Sequence, residues 1–319
     1  MRYGAVGCII TNRIDFTDGS QIDGIMGGTV YGLEGIRFYD ESCQLFGNVG
    51  DDFERDYGPW MDRNRIPRAG IATVGEYTIY DIVRYAADGT YEEIPGHGES
   101  YDEFRFNFGV MTPDHRNVAP YADGLKGLYV ALGTDPVFWR ELYALKQRYG
   151  FQIMYEVIHM DTFPDRLDRV MNVLQYVDMF SINLPETKRL FGLETEQQCI
   201  DKLKSLNLPF VLFRVGDRGL YAISGGKHFF VPCLRYEGKV QDPTGCGNSS
   251  TSASMVGFCE GHDPLMCGVM GSVAAHFNVR QYGPVQDFSP ELMAEVRQMV
   301  HTQYDQLAKQ YIAQGQPPR

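Results

Sequence analysis

The apolar positions of this chain change period along its length. From residue 128 onward, short apolar runs alternate with segments of helical spacing. Leu128–Leu132, Phe151–Val157, Val177–Ile182 and Phe210–Val215 are bounded runs of the length that buried strands require. Between the first two, Phe138, Leu142 and Leu145 repeat on one helical face behind Asp135-Pro136, an N-cap followed by a first-turn proline. Arg166–Leu174, a short stretch from Pro185, and Thr195–Leu206 also read as helices. Leu220–Ser224 and Phe229–Pro232 are hairpin arms joined through Gly225-Gly226. Three helices follow residue 242, with Met266, Met270, Val273, Ala274 and Phe277 on one face of the second and Ser289-Pro290 opening the third. This alternation predicts an α/β fold: a mostly parallel sheet with helices on both faces.

The N-terminal part is less regular. Tyr3–Ile10 and Gln44–Val49 read as strands, and Gly24–Gly35 is glycine-rich around Gly27-Gly28. The stretch from Ile71 to Phe108 is rich in Tyr, Thr and Glu and carries a turn signal at Asp88-Gly89. It predicts antiparallel strands outside the main core.

Composition narrows the classes. A chain of 319 residues, 44% hydrophobic and 22% charged, suits one large domain, with or without a smaller appendage. A formal net charge of -12 argues against a general nucleic-acid binder. Its seven cysteines are scattered, odd in number and without a C-x-x-C pair, as in a reducing cytoplasm. No apolar run approaches membrane-spanning length, so no membrane partner is expected.

The chemistry concentrates in Asp242-Pro-Thr-Gly-Cys-Gly-Asn-Ser-Ser-Thr. Gly245 and Gly247 permit a tight turn into a helix whose first N–H groups have no intrahelical partner. Such a turn suits a phosphate or a developing oxyanion; its bland alternative is a structural helix cap. Cys246 is either a packing residue offering an N–H or a thiol activated at a helix N-terminus. Ser249–Ser252 reads as a polar first turn. Asn183 and Glu186 follow one strand and Arg214, Gly216 and Gly219 another, where ligands of open α/β sheets collect. Alone, Asn183 and Glu186 also make an ordinary helix start.

In this order the elements resemble the ribokinase-like, or PfkB, family of carbohydrate and nucleoside kinases, over nearly the whole chain. The resemblance implies a three-layer α/β/α sandwich over residues 1–319, with lid strands within 11–37 and 71–108. It implies transfer of the γ-phosphate of ATP, with Mg²⁺, to a hydroxyl of a sugar or nucleoside, and pairing of two copies through the lid strands. Gly245, Cys246 and Gly247 would then stabilise the moving phosphoryl group, and Glu186, with Asn183, would act on Mg²⁺ through water. Arg214 would meet the phosphates, while Gly216 and Gly219 would admit the nucleotide. Phe277, Asn278 and Gln281 would border the adenine. Gly27 and Gly28 resemble the substrate-side turn; Asn12, or Asp15, would bind sugar hydroxyls. Tyr77, Tyr80 and Phe104 would stack on a base or a sugar face.

Two positions depart from the family pattern. Asn248 stands where the family has a catalytic Asp, and Gly32 where it has a substrate-contacting Asn. An amide is no general base near neutral pH, and such a base typically contributes roughly 10²–10⁴ in rate. The alternative to a kinase is therefore a protein that binds nucleotide or sugar without efficient transfer.

Overall fold

The computed structural model describes residues 1–86, 91–234, 236–238 and 240–318. The Asp88-Gly89 turn signal lies outside the described residues. The strands are β1 (Tyr3–Gly7), β2 (Ile9–Asp15), β3 (Gln21–Gly28), β4 (Cys43–Gly50), β5 (Ile71–Gly75), β6 (Ile79–Tyr85) and β7 (Tyr91–Pro95). They continue as β8 (Gly127–Ala131), β9 (Gln152–Glu156), β10 (Met179–Asn183), β11 (Phe210–Arg214), β12 (Gly219–Ser224) and β13 (Lys227–Pro232).

Nine strands form one sheet in the order β13-β12-β11-β10-β9-β8-β1-β4-β5. It is parallel from β11 to β5, and only β12 and β13 run antiparallel. Separate hydrophobic cores fill its two faces, as the strand–helix alternation predicts. Among the described residues no helix is long and apolar enough to cross a membrane.

The smaller sheet runs β3-β2-β6-β7. Here the structure departs from the sequence reading in several ways. The run Tyr3–Ile10 is split: β1 belongs to the large sheet and β2 to the small one. The central pair β2–β6 is parallel rather than antiparallel. Ile71–Gly75 joins the large sheet beside β4. Tyr101–Met111 is a helix, capped by Ser100 and Glu103 in a reciprocal box that the Tyr and Phe content concealed. Val30–Arg37 is also a helix, so the strands of the small sheet occupy only 9–28 and 79–95 of the ranges expected for lid strands.

The helix Cys246–Cys259 is buried along almost its whole length, including Ser249, Ser250, Thr251, Ser252 and Ser254. The hydroxyls of Ser250, Thr251, Ser252 and Ser254 bond back to helix carbonyls, whereas Ser249 Oγ is buried without a partner. Ser250 Oγ and Thr251 Oγ1 both donate to Gly247 O, at 2.9 and 2.8 Å. The serine run is therefore a close-packed contact surface, not a solvated turn, because small back-bonding side chains let neighbouring elements approach.

Candidate active site

The carboxyl ends of β8 to β11 converge on the N-terminus of the helix Cys246–Cys259. Gly245 is the N-cap, at φ 83°. A Cβ there would sit 2.2 Å from the Tyr31 ring, so both conformation and space demand glycine. Cys246 N–H turns back to Pro243 O at 3.2 Å, leaving it engaged within the turn. Burial pushes the Cys246 thiol up to about 12. The thiol is thus neutral and packed, which supports the packing reading over the nucleophilic one. Iodoacetamide at neutral pH is expected to leave Cys246 unmodified in the folded protein and to label it after unfolding; peptide mass mapping checks this.

Arg214 ends β11 directly beside Asn183 at the end of β10. Its guanidinium lies against the glycine turn: a Cβ on Gly247 would be 1.9 Å from Nη1. Arg214 Nη2 pairs with Glu156 Oε1 at 2.8 Å, and the two side chains are only 16% and 8% exposed. Glu156 Oε2 accepts from Tyr129 OH at 2.6 Å, and Tyr129 OH accepts from Asn248 Nδ2 at 2.8 Å. One buried chain therefore runs from Arg214 through Glu156 and Tyr129 to Asn248. Burial raises the Glu156 carboxyl, while Arg214 opposes that rise. Burial, reinforced by Glu156, also holds the Tyr129 phenol far above its ordinary range, so it stays protonated.

Asn183 and Glu186 form the reciprocal cap of the helix Leu184–Phe191, with bonds of 2.9 and 3.0 Å. The structural role is thus realised. Glu186 also faces the buried pair, lifting Glu156 and holding the charge on Arg214. Gly216 has φ 69° and open space above it. Gly219 differs: a Cβ there would strike Val231 O at 2.1 Å, so the β12–β13 pairing explains that glycine. Asn278 lies beneath the turn, fully buried, donating to Thr244 O at 2.7 Å. Gln281 donates to Asn278 O, and Phe277 is core.

The substrate-side residues meet on the small sheet. Asn12 donates to Asp81, and a Cβ on Gly27 would lie 2.2 Å from Asn12 Oδ1. Gly28 has φ 64° and lies against Cys8 O. Asp15 pairs with Arg13 at 2.8 Å, a contact within β2 that accounts for it structurally. Tyr77 and Tyr80 flank His97, with centroid distances of 4.9 and 4.8 Å. With Phe104 they line a cavity of about 280 Å³ to which the glycine turn contributes no residue.

Sequence reasoning missed Glu156 and Tyr129. Glu156 had a signal, a lone charge at the carboxyl end of an apolar strand, where ligands of open α/β sheets collect. Tyr129 had none, since a tyrosine inside an apolar strand reads as core.

Residues 122–291 match the model of the pfkB family carbohydrate kinases. The chain is 26% identical over 156 residues to a nucleoside kinase of Methanocaldococcus jannaschii, covering 49% of this chain and 49% of that protein. It is 28% identical over 142 residues to a ribokinase of Arabidopsis thaliana, covering 43% of this chain and 36% of that one. In sequence the chain therefore spans about half or less of the length of these curated relatives. The crystal structure of the Methanocaldococcus jannaschii nucleoside kinase superposes with a TM-score of 0.69 at 18% identity, over 95% of this chain and 99% of the other. That of Arabidopsis thaliana ribokinase with ribose and ATP gives 0.70 at 17%, over 94% and 98%.

Proposed function

Because the chain belongs to the pfkB family of carbohydrate kinases, we propose that it transfers the γ-phosphoryl group of ATP to a hydroxyl of a sugar or nucleoside. The observation that carries this reading is the Arg214 guanidinium held by buried Glu156 against the turn at Gly247. A fixed cation beside a helix N-terminus suits the charge that spreads over a transferring phosphoryl group. Among the described residues no cluster of three His, Cys, Asp or Glu could hold a metal unaided. Mg²⁺ keeps waters and takes phosphate oxygens. Glu186, supported by Asn183, would hold it through water, and the ion would neutralise phosphate charge. Gly216 leaves open backbone for the nucleotide, and Asn12, Gly27 and Gly28 form the substrate side under the small sheet, which would exclude water as a lid. Relatives with nucleosides and with ribose in their names or complexes support both acceptor classes.

The experiment is ADP release from Mg-ATP in the presence of a panel of sugars and nucleosides. At least one acceptor is expected to stimulate release, with its phosphorylated product seen by mass spectrometry. Tight nucleotide binding without stimulation by any acceptor would overturn the kinase reading. It would instead favour the second reading, a ligand-binding protein, which the Asn248 amide motivates.

A further inference from the structure

The two departures from the family pattern meet on one side chain. A Cβ on Gly32 would lie 2.4 Å from Tyr129 Cε1, so that position must lack a side chain for the phenol ring to fit. The same ring carries the hydroxyl that holds Asn248. We infer that Gly32, Tyr129 and Asn248 are a single coupled unit, in which Tyr129 is a positioning residue that turns Asn248 into a fixed hydrogen-bond acceptor for the incoming hydroxyl.

The argument follows the protons. Glu156 is paired through Oε1 with Arg214, so as a carboxylate it only accepts. The one phenolic proton of Tyr129 therefore goes to Glu156 Oε2, at 2.6 Å. The Tyr129 oxygen has only lone pairs left for Asn248, which must present its NH₂ at 2.8 Å. That fixes the amide orientation and leaves Oδ1 as the end free to meet a ligand. An aspartate at this position would place a carboxylate against a phenol with no proton left to give. Glu156, on the same phenol, would face it with like charge, while Arg214 Nη2 is already paired with Glu156 Oε1. The network therefore selects asparagine.

This assignment of the ligand rests on the kinase reading. On that reading, Oδ1 accepts the hydrogen bond of the acceptor O–H and orients it. The acceptor oxygen bonds to the γ-phosphorus, and the bond from that phosphorus to the β–γ bridging oxygen breaks, releasing ADP. The proton passes to an oxygen of the transferred group and then to solvent. A loose transition state needs little activation of the nucleophile.

The test is Asn248→Asp in three backgrounds: the natural chain, Tyr129→Phe, and Glu156→Gln. The last frees the Tyr129 proton to meet the new carboxylate, and it serves should Tyr129→Phe fail to fold. In the natural chain Asn248→Asp is expected to lower the thermal midpoint by about 2–4 °C and to leave kcat no higher. In either other background the drop is expected to be smaller by half or more. An equal drop in all backgrounds, or a gain in kcat of about 100-fold from Asn248→Asp alone, overturns the inference. Should no form of the protein release ADP, the kinase reading fails, while the thermal comparison still decides the coupling.

Discussion

Replacing Arg214 with methionine is expected to lower folding stability by about 3–5 kcal/mol. The expected loss is large because of what remains behind, not because of what is removed. Glu156 is 6% exposed and Arg214 is its ion-pair partner at 2.8 Å. Without the guanidinium, a buried carboxylate is left with the Tyr129 and Thr251 hydroxyls and the like charge of Glu186, none of them a counter-charge. It must then take up a proton or stay ionised without a counter-charge. The double replacement Glu156→Gln/Arg214→Met removes both charges, and most of the loss is expected to disappear, since an apolar or neutral pair can substitute for a buried ion pair at little cost. Urea unfolding of the two single variants and the double checks this. A single-variant loss below about 1 kcal/mol, the range of exposed pairs, would show that water reaches the pair. The consequence for function is separate: nucleotide affinity should remain poor in the stable double variant, because the cation beside Gly247 is still missing.

The fold was legible wherever periodicity reports burial on both faces. The runs at Leu128, Phe151, Val177 and Phe210 became β8 to β11, because a strand covered on both faces must be apolar throughout. Two helix starts were equally legible: Asp135 and Ser289, each followed by a proline, both bond their first turn. The segment 71–108 was harder. Its aromatic and β-branched content suits strands, yet Ser100 and Glu103 cap a helix whose Phe104 and Phe108 lie four residues apart. The glycine turn, Asn183, Glu186 and Arg214 could be placed from sequence because strand ends gather them. Asn278 and Gly219 could not be separated from ligand-binding positions by sequence alone. Their roles, pinning Thr244 and making room for Val231, depend on backbone distant in the chain. The link between Gly32 and Asn248 was invisible for the same reason, because a third residue carries it.

Glu34→Gln is expected to stabilise the protein increasingly as pH rises, which follows from a carboxyl that the fold keeps protonated. Glu34 is wholly buried on the helix Val30–Arg37, one turn after Tyr31, whose ring packs on Gly245. Its Oε1 accepts from Val285 N at 2.9 Å, and its Oε2 has no partner. Burial pushes this carboxyl from an ordinary value of 4.5 up to about 8, and the Val285 N–H only partly resists. Between those values the folded chain binds a proton that the unfolded chain has released. Stability therefore falls with rising pH across that window, by about 1.4 kcal/mol per unit. Below it both states are protonated and Glu34 contributes no slope; above it both are ionised and the slope vanishes again. Glutamine keeps the acceptor for Val285 and never ionises. The two proteins should unfold alike near about pH 4, and the variant should lead by on the order of 4–5 kcal/mol near about pH 8. Urea midpoints across this range decide it. Parallel pH profiles for the two chains would mean that Glu34 is ionised in the folded state, with a cation or water at Oε2 stabilising its charge behind the glycine turn.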